Sequence, residues 1–274
     1  MSSLPKPTEC KNHTPKFIDE ITLSTSSSSH SYDLNAIHAS YLQQKETILT
    51  QDKEGILISG FNLIEDRLYQ SVYGLESEST DIIYQKHHLL NDPLFESILG
   101  YSFEYQSLTM TIRDENGEIQ VIVIRHATDK DGKSVKWKTY GAKRYIPYKI
   151  HPDEDFVFIF SGMAELLLME LFEFSYIGLQ SDSMCKHLPE HLKEETREKV
   201  IVILQDNDES FKSIVPALES FFSTAYQVMT IDFEKLLNRD LVKGYDFRDF
   251  CNEVGDVAIV QEKLIKEIQD GFRS

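Results

Sequence analysis

The chain has 274 residues, 41% of them hydrophobic and 27% charged, with a net charge of −17 from 28 Lys+Arg against 45 Asp+Glu. That length suits one large domain or two small ones, and that apolar share excludes a wholly disordered chain. The charge argues against a protein that coats nucleic acid or an anionic membrane by bulk positive charge.

The opening, MSSLPKPTECKNH, lacks the apolar stretch of a secretory signal. Residues 1–31, with Pro5, Pro7, Pro15 and the serine run at 24–31, read as a disordered tail, so proteolysis is expected to leave a core starting beyond about residue 30. From Tyr32 to Gln51, Leu34, Ile37, Tyr41, Leu42, Ile48 and Leu49 recur at helical spacing, with an end expected near Gly55. Residues 56–100 are ambiguous, apart from DPLFESIL at 92–99, where Asp92 and Pro93 suit the start of a short helix. LTMTI (108–112) and EIQVIVIRHA (118–127) flank DENG (114–117), a hairpin signal, and VKWKTY (135–140) supplies a further strand.

From residue 155 the pattern changes. DFVFIF (155–160) is a strand buried on both faces, followed by SG and a helix over MAELLLMELFEF. SYIGLQ (175–180) is a second strand and LPEHLKEETREK a polar helix. KVIVILQ (199–205) is a third strand, followed by SFKSIVPALESFFSTA, a helix expected to break or kink at Pro216. YQVMTIDF (226–233) is a fourth strand, and a last helix runs from about Val257 to Gly271. Strand and helix alternate with short connections, so residues 151–274 are expected to form an α/β domain on a parallel sheet. A smaller α+β domain over 32–150 precedes it. The most apolar run, at 164–174, carries Glu165, Glu170 and Glu173 and is too short to span a bilayer. Cys10, Cys185 and Cys251 are too far apart for zinc pairs or a disulfide framework, which fits a reducing cytoplasm.

Charge is unevenly divided. Residues 1–100 carry a net −7, residues 101–150 a net +3 and residues 151–274 a net −13. Phosphate is therefore expected to meet the middle segment, whose lysines and arginines crowd into 125–149; a solvated hairpin would show the same composition. Tyr140, Tyr145, Tyr148 and Trp137 interleave with those charges and suit either base stacking or local packing. The pair His87-His88 points two ways on a helix or strand and suits no shared metal; His126 beside Arg125 suits a phosphate or plain solvent. Neither a nucleophile elbow nor a Walker A sequence occurs.

Open parallel sheets present ligands beyond the carboxyl ends of their strands. Asp206-Asn207-Asp208 follows the third strand of this domain, and Ser161-Gly162 with Glu165 follows the first. Two carboxylates at i and i+2 leaving a buried strand suit one hard cation such as Mg²⁺. They equally suit the cap of the next helix, where carboxylates meet the positive end of the dipole.

FIFSGMAE, VILQDNDESF and the acidic loop KGYDFRDFCNEVGD (243–256), in this order across residues 155–274, resemble the Toprim domain of bacterial-type primases, topoisomerases and some nucleases. The resemblance implies a Toprim-like parallel sheet with flanking helices. It also implies a site of Glu165, Asp206 and Asp208, catalytic and ligating Mg²⁺ or Mn²⁺. Upstream, DENG, Arg125 and KWKTYGAKRYIPY resemble the segment ahead of the Toprim domain in primases of mobile-element or phage type. By that resemblance Arg125, Lys136, Lys138, Lys143 and Arg144 contact the template or the incoming nucleotide.

Two positions depart from the family pattern. Ser161 stands where a glutamate precedes the glycine, and Phe211 where a glycine follows the D-x-D. Two functions follow as expectations. One is a primase-like, metal-dependent nucleotidyltransferase acting on single-stranded DNA, with nucleotides and a replicative helicase or another replication protein as partners. The other is a degenerate Toprim module that binds nucleic acid or a replication partner without turnover, favoured by Ser161, which has no carboxylate to move a proton. In either case Asp206, Asp208 and Glu165 are expected within reach of one cation.

Overall fold

A computed structural model describes residues 32–51, 92–93, 95–105, 107–125, 137–142 and 144–272. The tail reading, the helix end near Gly55, His87-His88 and His126 lie outside them. The described part of Tyr32–Ser274 belongs to one compact unit.

Helix α1 (Leu34–Gln51) starts where the Asp33 carboxylate accepts the Ala36 N–H at 3.0 Å. Its buried stripe includes Tyr41 and Ile48, but also His38 and Lys45. Burial of these polar groups is compensated: Lys45 Nζ donates to the Glu96 carbonyl at 2.7 Å, and His38 Nδ1 lies 2.7 Å from Thr111 Oγ1. The helix packs on an antiparallel sheet of β1 (Leu99–Ser102), β2 (Ser107–Arg113), β3 (Ile119–Arg125) and β4 (Trp137–Gly141), in that order. The DENG turn forms as expected. Asp114 Oδ1 accepts the N–H groups of Asn116 and Glu118, and Gly117 takes a φ of 79°. The described residues 92–93 and 95–98 make hydrogen-bonded turns rather than the expected helix, because Leu99 is already drawn into β1.

Strand β3 is apolar on both sides for a visible reason. Ile122 and Ile124 pack with Tyr41 under α1, whereas Val121 and Val123 join the main core. That core also takes Phe158 and Phe160 of the second sheet.

The second sheet has the order β5-β7-β6-β8-β9, from β5 (Tyr148–Lys149), β6 (Phe156–Ser161), β7 (Tyr176–Leu179), β8 (Val200–Gln205) and β9 (Gln227–Asp232). Strands β6 to β9 are parallel to one another, and β5 is an antiparallel edge that the sequence did not suggest. Both faces are covered, which is why the strands are continuously apolar. Phe158, Val202 and Leu204 face α2 (Met163–Phe172), α6 (Phe247–Val254) and α7 (Val257–Gly271). Val157, Ile159, Ile201 and Ile203 face α4 (Glu209–Phe221), through Phe211, Val215 and Leu218.

Helix α4 runs unbroken across Pro216. The proline ring sits on the exposed face, where loss of one helical hydrogen bond is tolerated, so the expected interruption does not occur. The polar stretch at 188–199 is shorter in helix than expected. It holds only α3 (His191–Glu195), after a 3-10 turn at Asp182–His187. Helix α5 (Phe233–Leu237) follows β9 directly. No helix among the described residues is long and apolar enough to cross a membrane.

Candidate functional site

The β6–β8 register pairs Phe156 with Val200 and Ile159 with Ile203. Carried forward, it sets the turn after Ser161 level with the turn after Gln205, so the two acidic segments leave the sheet side by side.

At the first turn, Gly162 N–H donates to the Leu179 carbonyl at 2.8 Å, and Gly162 has a φ of 128°. Glu165, in the first turn of α2, folds its carboxylate back over this glycine. A Cβ on Gly162 would lie 1.9 Å from Glu165 Oε2. Glycine is thus required for its dihedral angle and again for the space it leaves. Glu165 is only 4% exposed. Burial, then the neighbouring Asp246, push its carboxyl up to about 7, against the opposing pull of Arg248.

At the second turn the D-x-D divides into different jobs. Burial, then Glu165, Asp246, Asp208 and Asp182, push the Asp206 carboxyl up to about 9. Asp208 caps α4, its Oδ1 accepting the Phe211 N–H at 2.6 Å, so the capping alternative holds for this residue. Asn207 is a clamp. Its backbone N–H donates to the Tyr245 carbonyl, its carbonyl accepts the Gly244 N–H, and its Nδ2 donates to Glu234 Oε1 and to the Leu241 and Val242 carbonyls. This fastens the 241–245 loop to the end of β8 and delivers Asp246 to the site.

Asp246 caps α6 in a reciprocal capping box with Asp249. Two residues on, the Arg248 guanidinium lies 2.6 Å from Asp246 Oδ2, and its Nε lies 3.8 Å from Glu165 Oε1. Burial works against this cation, yet Glu165, Asp246 and Asp249 outweigh it and hold its pKa above the ordinary value. Burial, then Asp246 and Glu165, likewise push the Cys251 thiol up. Asp246, Arg248 and Asp249 were not among the sequence candidates. The available signal was the D-x-x-D in KGYDFRDF, but nothing local says that its arginine faces a glutamate 83 positions earlier.

The structure therefore places Glu165 and Asp206 in each other's field and turns Asp208 toward a helix end. Among the described residues no group of three or more His, Cys, Asp or Glu side chains is placed to hold a metal ion. In this arrangement the residues do not fit Mg²⁺ or Mn²⁺. Glu165 and Asp246 face a guanidinium, and Asp208 gives one carboxylate oxygen to a backbone N–H.

Of the basic candidates, Lys138 is half-buried. Its Nζ donates to Tyr105 Oη and lies 4.3 Å from the Tyr105 ring centre and 5.0 Å from that of Tyr140. Arg144 is exposed. Arg125 ends β3 opposite Trp137, and its side chain, like Lys136 and Lys143, lies outside the described residues. Tyr140 packs edge-on against Tyr32, and Tyr148 Oη donates to Glu115 Oε2, so both are engaged in local packing.

No protein-family model matches the chain, and no curated protein matches it. Solved structures similar to it include the primase fragment of the bacteriophage T7 primase-helicase protein, with a TM-score of 0.43 and 18% identity over 60% of this chain and 64% of that one. A second is the Aquifex aeolicus primase (zinc-binding and RNA polymerase domains), with a TM-score of 0.42 and 18% identity over 86% of this chain and 63% of that one. The chain spans a little under two thirds of the length of each of these primase fragments.

Proposed function

We propose that the chain is a primase-like, Toprim-type module that holds single-stranded nucleic acid without carrying out nucleotidyl transfer. The observation that supports this is the Arg248 guanidinium seated against Glu165 and Asp246, at the edge where a catalytic metal would need free carboxylates. Ser161 adds to it, since a serine cannot serve as the proton-moving carboxylate of the family. Nucleic-acid binding rests on the net positive segment 101–150, with Arg125, Lys136, Lys138, Lys143 and Arg144 as the proposed contacts. Their phosphate pairing would release counterions and make binding salt-dependent. A replicative helicase or another replication protein is the partner class this reading implies, in the cytoplasm.

A primer-synthesis assay with single-stranded template, ribonucleotides and Mg²⁺ or Mn²⁺ tests the absence of turnover. No product is expected. A metal-dependent product that Asp206→Asn removes would overturn the reading in favour of the nucleotidyltransferase. Fluorescence anisotropy with labelled single-stranded DNA tests the binding, and Arg144→Ala is expected to lower the slope of log affinity against log salt by about one.

A further inference from the structure

We infer that Arg248 is the resident cation of the acidic edge and occupies the place that a divalent ion would otherwise take; this rests on the turnover-free reading above. The guanidinium is held rather than merely near. It touches Asp246 at 2.6 Å and stands 3.8 Å from Glu165, with the three side chains only 13%, 14% and 5% exposed. Coulomb attraction in such a partly dry setting is several times stronger than at a wet surface.

The chemistry favours the tethered cation over a soluble one. Arg keeps its charge at any working pH, spreads it over a planar fork that can face two carboxylates, and is weakly hydrated. Mg²⁺ gives up its water reluctantly and needs several free oxygens, and here Glu165 and Asp246 already face the guanidinium. The cradle over Gly162, where another group could have approached the backbone, is filled by the Glu165 carboxylate. The loop leading to Arg248 is also fastened to the D-x-D through Asn207, so its position is set by the same turn that carries Asp206.

Removing the guanidinium while keeping the carboxylates should therefore create a divalent-cation site that the natural chain lacks. The test is Mn²⁺ uptake by the whole chain, read by electron paramagnetic resonance of free Mn²⁺. Wild type, Arg248→Lys, Arg248→Met and the double variant Arg248→Met with Asp206→Asn are compared, each checked for folding by circular dichroism. Arg248→Met is expected to bind Mn²⁺ at least about tenfold more tightly than wild type. Arg248→Lys should resemble wild type, and the double variant should lose the gain. Equal uptake by wild type and Arg248→Met, or no gain in a folded Arg248→Met, overturns the inference.

Should Arg248→Met fail to fold, the wild-type melting curve decides. A rise in Tm with Mg²⁺ beyond that given by NaCl at equal ionic strength, lost in Asp206→Asn, overturns the inference; no such rise sustains it. The two readings fail separately. Mn²⁺ uptake by wild type with no primer product removes this inference alone, whereas a metal-dependent primer product that Asp206→Asn removes takes the turnover-free reading and this inference with it.

Discussion

Asp206 and Glu165 differ from most carboxylates in preferring their protons. The folded protein holds the Asp206 proton to a pH of about 9, whereas an ordinary aspartate releases it near 3.8; for Glu165 the values are about 7 and 4.5. Between those limits the folded state binds more protons than the unfolded chain, so this pair's contribution is full at low pH and is lost as pH rises through the folded values. Asp206→Asn should leave stability unchanged near pH 4 and raise it by about 1 kcal/mol or more at pH 8, as read by urea unfolding at the two values. Gly162→Ala should cost about 1–3 kcal/mol, since it combines a positive φ with a clash against Glu165. Adding Glu165→Ala should recover part of that cost, and a double-mutant cycle of unfolding free energies measures the share. The positions of Glu165 and Asp206 were legible in the sequence because each lies one short step beyond a strongly apolar strand. Their environment was not, because it depends on Arg248 and Asp246, brought in from another turn of the chain.

At the scale of elements, the buried strands and amphipathic helices were readable, since burial on both faces leaves an unbroken apolar run. The pieces that escaped notice are short or polar. Strand β5 has two residues, and α5 and α6 lie in an acidic stretch whose burial comes from single aromatics, Phe233, Phe247 and Phe250, stacked on one another. Pro216 was a misleading signal because a helix on a surface tolerates a proline on its outer face. Asn207 couples two of these elements. Asn207→Ala removes three hydrogen bonds to the 234–242 region, one of them to the Glu234 carboxylate, and the one that Lys212 Nζ donates to Asn207 Oδ1, while leaving Glu165, Asp206 and Asp246 in place. It should speed amide exchange at Gly244 and Tyr245 and lower stability by about 1–3 kcal/mol, read by hydrogen-exchange mass spectrometry and urea unfolding.

For the whole molecule, the governing fact is that both sheets feed one core. Leu108, Met110, Val121 and Val123 of the antiparallel sheet cluster with Phe158, Leu167 and Phe247 of the parallel half. The composition change near residue 150 marks a change of architecture, and the core continues across it. Residues 32–274 should therefore unfold in a single transition, and a fragment starting at residue 151 should lose that cooperativity, as scanning calorimetry would register. The two margins of the parallel sheet have different prospects. On one side β7 is paired with β5 and its Gly178 N–H is taken by the Pro147 carbonyl, leaving a margin two residues long. On the other side β9 runs for six residues with no further strand beside it among the described residues. A margin as short as β5 gives a neighbouring copy little to align with. If crowded copies ever joined by adding backbone to backbone at this sheet, the junction would be β9 against β9, an arrangement that uses up its own sticky surface and stops at a pair. Fibrous growth through this sheet needs a free margin at both of its sides, and the small strand at Tyr148–Lys149 withholds one of them.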